Sequence, residues 1–144
     1  MILIDTNIIS EYLKRDPDAG VKALFAAEPE LALSVVTLEE MAYGLAWQPV
    51  PRVMQAFEQI VNAWPHVLPI TADIALRAGQ LRGHFARIGV VREQADMLIA
   101  ATAQAHRLTL ATRNTRDFEQ CGIALLDPFS APLRYFDTNR FVRK

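Results

Sequence analysis

Cysteine is nearly absent from this chain of 144 residues, where Cys121 stands alone. One thiol permits no internal disulfide and no cysteine-rich zinc site, so a reducing compartment is expected and the fold must rest on packing. Long apolar runs are missing too. The longest stretch without a charged side chain, 59–72, is interrupted by Pro65 and Pro69 and falls short of the roughly 20 apolar residues that cross a bilayer. The start, Met1-Ile2-Leu3-Ile4-Asp5, has no basic flank and meets an acid too soon for a secretory leader. Together these absences predict a cytoplasmic protein with no membrane segment. The glycines, at 20, 44, 79, 83, 89 and 122, never fall into G-x-G-x-x-G or G-x-x-x-x-G-K order, which removes the main support for dinucleotide or P-loop chemistry. His66, His84 and His106 are scattered without a partner cysteine, and Ser10, Ser34 and Ser130 sit in no G-x-S-x-G elbow. Zinc hydrolysis, histidine-based RNA cleavage and serine hydrolysis therefore all lack support. An excess of one charge is lacking as well. With 15 basic against 16 acidic side chains, the sum neither marks nor excludes a nucleic-acid partner, because clustering decides binding.

What is present is a 51% hydrophobic, 22% charged chain, the balance of a single globular domain. We expect that domain over 1–132 and a tail, 133–144, in which Arg134, Arg140, Arg143 and Lys144 mix with Tyr135, Phe136 and Phe141. The apolar run 1–4 reads as a buried strand stopped by Asp5-Thr6-Asn7, a turn with helix-capping side chains. Pro17 opens a helix to about Glu28. A second strand spans 31–36, and Thr37 with Glu40 three residues on spells a helix start. That helix runs to about Gln48, and Pro49 and Pro51 separate it from another through Trp64. A strand at 66–70 precedes a helix capped by Thr71, with Ile74, Leu76, Leu81 and Phe85 apolar, which Gly89 closes. Helix 93–106, strand 108–111, short helix 114–120 and strand 123–126 follow. Short apolar strands alternating with helices predict an α/β fold: a three-layer α/β/α sandwich around a short central parallel β-sheet. Such sheets carry their sites at the carboxyl ends of the strands.

Carboxylates remain as the chemistry. Asp5 ends the first strand, Glu40 begins the helix after the second, Asp96 is the only charge between Ala95 and Ala105, and Asp117 follows the fourth strand. Each has an ordinary structural account. Asp5 could cap a helix, Glu40 could complete a capping box with Thr37, Asp96 could answer its helix dipole, and Asp117 could pair with Arg113 or be capped by Asn114. By the strand-end rule, however, all four can gather at one edge of the sheet. At about 5 Å and an effective dielectric near 20, each ionised pair repels by roughly 3 kcal/mol, and several such pairs rival a total stability of about 5–15 kcal/mol. Raised pKa values would relieve this, and so would a hard divalent cation. Mg²⁺ or Mn²⁺ suits a site of few carboxylates completed by water and phosphate oxygens.

The blocks around these acids resemble a known family. The opening Ile2-Leu3-Ile4-Asp5-Thr6-Asn7-Ile8-Ile9-Ser10-Glu11, the pair Leu33-Ser34-Val35-Val36-Thr37 and Glu40-Met41-Ala42-Tyr43-Gly44, then Ala95-Asp96-Met97-Leu98-Ile99-Ala100-Ala101, and finally Thr112-Arg113-Asn114 with Asp117-Phe118 look like the ordered blocks of PIN-domain ribonucleases, specifically VapC-type or FitB-like toxins. The resemblance covers 1–129. It implies a PIN-like fold and a catalytic and metal-binding quartet of Asp5, Glu40, Asp96 and Asp117, with Thr6 and Asn114 as supporting polar residues. Glu40 is preferred to Glu39 for its spacing to Gly44. The resemblance further implies Mg²⁺-dependent endoribonuclease activity through metal-activated water, an RNA substrate, a homodimer, and a small antitoxin whose terminal segment occupies the active-site groove. Arg113 is the candidate phosphate-binding cation. Arg77, Arg82, Arg87 and Arg92 are scattered around a helix and read mostly as a solvated face. Tyr43, Trp47 and Trp64 are candidates for base stacking or antitoxin contact, against the more ordinary reading of core. The competing functional reading is a catalytically idle PIN-like module that works by binding an antitoxin or in a DNA-bound regulatory complex.

Overall fold

The apolar tripeptide Ile2–Ile4 forms strand β1, buried along its whole length. In the computed structural model, which describes residues 1–129 and the backbone of 134–137, β1 lies near the middle of a six-stranded sheet of order β3-β2-β1-β4-β5-β6. The strands are β2 (Leu31–Ser34), β3 (Val67–Leu68), β4 (Thr109–Ala111), β5 (Ala124–Asp127) and β6 (Arg134–Asp137). The first five run parallel. β6 pairs antiparallel with β5, Leu125 opposite Phe136, so 134–137 of the compositionally distinct tail adds an edge strand to the sheet. The rest of 133–144 lies outside the described residues.

Helices α1 (Thr6–Tyr12) and α2 (Ala19–Ala27) join β1 to β2, and α3 (Val35–Trp47) and α4 (Pro51–Ala63) join β2 to β3. From β3 the chain returns through α5 (Ala72–Arg87) and α6 (Gln94–His106) to β4. Alternation within β1 shows what this does to the core: Leu3 packs with Ile74, Ala78, Phe85, Met97 and Ile99 of α5 and α6, while Ile2 and Ile4 pack with Ile8, Ile9, Val21, Leu24, Met41 and Ile60 of the first four helices. Two apolar clusters on opposite faces of one sheet make the expected three-layer sandwich, its strands buried on both sides as parallel strands must be.

Two local expectations give way. The second strand stops at Ser34, whose hydroxyl accepts from the Val36 N–H at 3.1 Å and caps α3. Thr37 therefore lies inside the helix, fully buried, and makes no capping box with Glu40. Leu76, one of the apolar positions read along α5, is 68% exposed and does not join Ile74 and Phe85 in the core. By contrast Thr71 caps α5 as its sequence suggests, accepting from the Ile74 N–H at 3.2 Å. Among the described residues no helix is long and apolar enough to cross a membrane.

Candidate active site

β1 has β2 on one side and β4 on the other, so the connections leaving the sheet diverge between β1 and β4. That divergence opens a crevice at the carboxyl ends of the strands. Ile4 pairs with Ala111 in register, which puts the next residues, Asp5 and Thr112, side by side at that edge, and the Asp5 N–H donates to the Ala111 carbonyl at 2.9 Å.

Asp5 is only 5% exposed and caps α1. Its Oδ1 accepts from the Thr6 N–H at 2.8 Å, and its Oδ2 from Thr112 Oγ1 at 2.8 Å and Asn7 Nδ2 at 3.1 Å. Burial pushes the Asp5 carboxyl above its ordinary range; these hydrogen bonds pull it back, and the charge of Glu40 adds to the rise. Glu40 projects from α3, where its Oε1 accepts from Thr6 Oγ1 at 2.7 Å. A hydroxyl has one proton to give, so in the 3.2 Å contact between Thr6 Oγ1 and Thr37 Oγ1 the donor is Thr37. Asp96 lies in the first turn of α6, half-buried. Its carboxyl is pushed up to about 7 by desolvation first, then by the charges of Asp5, Asp117, Glu40 and Glu93. Asp117 sits in a one-turn 3-10 helix, Thr115–Phe118, and is the most exposed of the four. The structure thus brings the sequence-predicted quartet into one electrostatic neighbourhood.

The quartet is uncompensated. Among the described residues none of its members forms an ion pair, and the bonds to Asp5 come from neutral donors. Arg113, the arginine considered as a partner for Asp117, lies over the Phe129 ring instead, 4.6 Å from its centroid. Burial and neighbouring acids both disfavour the charged form of Asp96, and a cation would favour it, so the chemistry of the donor set fits a divalent ion. Among the described residues no group of three acidic, cysteine or histidine side chains is arranged to hold such an ion by itself.

Sequence reasoning passed over three polar residues. Thr112 is fully buried, and its hydroxyl serves Asp5 while accepting from the Asn114 N–H at 3.0 Å. Asn114 thus enters the network through its backbone, and among the described residues its side chain has no hydrogen-bond partner. Asn7 spans two loops, donating to Asp5 and accepting from the Arg113 N–H at 3.2 Å. Thr37 backs Thr6. Had the strand-end rule been applied to every polar residue rather than to acids alone, it would have found Thr112. Of the aromatics, Trp64 is half-buried with its indole N–H on the Leu31 carbonyl at 2.9 Å, whereas Tyr43 and Trp47 are 66% and 71% exposed on α3. Arg77 pairs with Asp73, the solvated-face role expected of it.

Asp, Glu and Thr side chains converging at the switch point of a short parallel α/β sheet define the class. A family model described as PIN domain matches residues 2–123, and the chain belongs to that family. Proteins similar to the chain include ones named VapC and FitB. The chain is 36% identical over 137 residues to the VapC ribonuclease Y4jK of Sinorhizobium fredii, covering 90% of this chain and 98% of the relative. Among solved structures, FitAcB from Neisseria gonorrhoeae matches with a TM-score of 0.77 and 31% identity over 90% of this chain and 99% of that one. A toxin–antitoxin complex from Klebsiella pneumoniae matches with a TM-score of 0.65 and 30% identity, again over 90% and 99%.

Proposed function

We propose that this protein is a divalent-cation-dependent endoribonuclease, with Mg²⁺ its ion and Mn²⁺ a substitute, and that it is the toxin of a toxin–antitoxin pair acting in the cytoplasm. The observation that carries this is the uncompensated quartet at the switch point, where Asp96 is pushed up to about 7 by burial first and then by its acidic neighbours. A relative named a ribonuclease and a solved toxin–antitoxin complex support it.

Asp5, Glu40, Asp96 and Asp117 would hold the ion together with water, since no three of them are arranged to hold it by themselves. When bound, such an ion supplies Lewis-acid charge to phosphate oxygens and lowers the pKa of water toward neutrality. Thr112, Asn7 and the Thr6 N–H fix both oxygens of Asp5, so that no reorganisation is needed when the substrate arrives. Glu40 has one oxygen engaged by Thr6, leaving the other to position or deprotonate the attacking water. Attack by water at phosphorus leaves a 5′-phosphate and a 3′-hydroxyl, and the ribose 2′-hydroxyl is not the nucleophile. Arg113 is exposed, and we assign it to substrate phosphate. A small antitoxin occupies the groove over the quartet, with Tyr43 and Trp47 within its reach, and the working unit is a homodimer.

The test is an RNA assay with the purified chain in Mg²⁺ or Mn²⁺, in chelator, and with Asp5→Asn and Asp96→Asn. Cleavage should require the ion and vanish in both variants. Cleavage that survives chelation, or both substitutions, overturns the mechanism. A chain that neither cuts RNA nor slows growth on expression is instead the idle binding module.

A further inference from the structure

The single 3-10 turn that carries Asp117 cannot hold itself in place. One turn closes too few hydrogen bonds to offset the ordering of its residues, it lacks a side-chain cap, and Gln120 just beyond takes a positive φ of 61°. Its position comes from tethers. Phe118 is fully buried, and Gln104 of α6 donates to the Cys121 carbonyl at 2.6 Å. The third tether is Arg92, in the linker that leads into α6. Its Nη1 donates to the Arg116 carbonyl at 3.0 Å and its Nη2 to the Glu119 carbonyl at 3.2 Å, so the two carbonyls it grips bracket Asp117. The same guanidinium lies over the Phe85 ring, 4.3 Å from the centroid, and Phe85 is buried in α5. Sequence reasoning left Arg92 among the arginines of a solvated face. Instead its side chain is half-buried and both terminal nitrogens are committed.

We propose that Arg92 is a positioning residue: by clamping the carbonyls on either side of Asp117, it sets where that carboxylate stands relative to Asp96, four residues after Arg92, and so sets the affinity of the site for its cation. This rests on the reading of the quartet given above. The chemistry calls for arginine. A planar fork meets two carbonyls at once while its flat face stacks on a ring, whereas an ammonium reaches one carbonyl at a time and does not stack in the same way. A cation also suits the partial negative charge of carbonyls at the end of a helical turn.

The test uses the full chain with Arg92→Lys and Arg92→Met, titrated with Mn²⁺ by calorimetry, with amide NMR spectra of the ion-free proteins and RNA affinity measured in chelator. Arg92→Met should weaken Mn²⁺ binding about tenfold and shift the amides of 115–119 while those of β1 and α3 stay in place. Arg92→Lys should recover only part of the loss, and RNA affinity in chelator should be unchanged. Full recovery with Lys reduces the role to charge and overturns the clamp. Unchanged Mn²⁺ affinity with weaker RNA binding makes Arg92 a phosphate contact and overturns it too. If the parent chain binds no Mn²⁺, the quartet reading fails on its own account. The clamp is then judged on the amides alone, and it falls if 115–119 do not move.

Discussion

Asp96 titrates near neutrality because burial strips its carboxyl of water and the charges that reach it are those of Asp5, Asp117, Glu40 and Glu93. Its pKa is raised on folding, so between about pH 4 and 7 the unfolded chain releases this proton while the native chain keeps it. Native stability is therefore lost as pH rises through that window, and the loss is complete above 7. In chelator, Asp96→Asn should consequently melt at a higher temperature than the parent at pH 8, with the gain shrinking to nothing by about pH 4. Thermal melts across that range check it, and a variant less stable than the parent at pH 8 would contradict the sign. The acids were legible in the sequence because a charge inside an apolar run is conspicuous. Thr37 was not, and Thr112 was legible only as a polar residue at a strand end, without its partner. A threonine at a strand end or early in a helix is ordinary, and only the register of β1 against β4, or the packing of α1 on α3, shows which oxygen its hydroxyl meets.

At the level of elements, the cap of α5 was readable and the start of α3 was not. Thr71 capped α5 as read. Thr37 was read as the start of α3, but β2 ends three residues earlier and Ser34 caps the helix. This moves Thr37 inward, where its hydroxyl backs the Thr6–Glu40 bond instead of closing a capping box. Contacts between distant segments are the least legible. Gly20, in the first turn of α2, would bring any Cβ within 1.7 Å of the Pro128 carbonyl oxygen, a meeting of backbone with backbone that neither segment announces. Gly20→Ala should cost about 1–3 kcal/mol or more, since neither side can yield as a side chain would. Urea unfolding measures it, and a neutral result would mean that the approach of α2 to the end of β5 is looser than described.

For the molecule as a whole, the quartet is a native-state property: its members lie at 5, 40, 96 and 117 in the sequence and meet only when the sheet is complete. An ion that binds the folded chain and not the unfolded one stabilises it, by about 2.7 kcal/mol at a hundred times its dissociation constant, or several degrees in Tm for a domain of this size. Mg²⁺ should raise the Tm of the parent and leave that of Asp96→Asn nearly unchanged; a rise reproduced by NaCl at equal ionic strength would reduce the effect to screening. The layer order was readable from alternating strands and helices, whereas the antiparallel addition of Arg134–Asp137 was not, because a basic aromatic segment does not resemble the apolar strands beside it. The central place of β1 also governs how the protein is made. Its neighbour β4 leaves the ribosome more than a hundred residues later, and Asp117 later still. While translation proceeds, the growing polypeptide therefore carries its first acid long before the last, and the site proposed above cannot assemble until residue 117 has emerged and β4 has closed against β1.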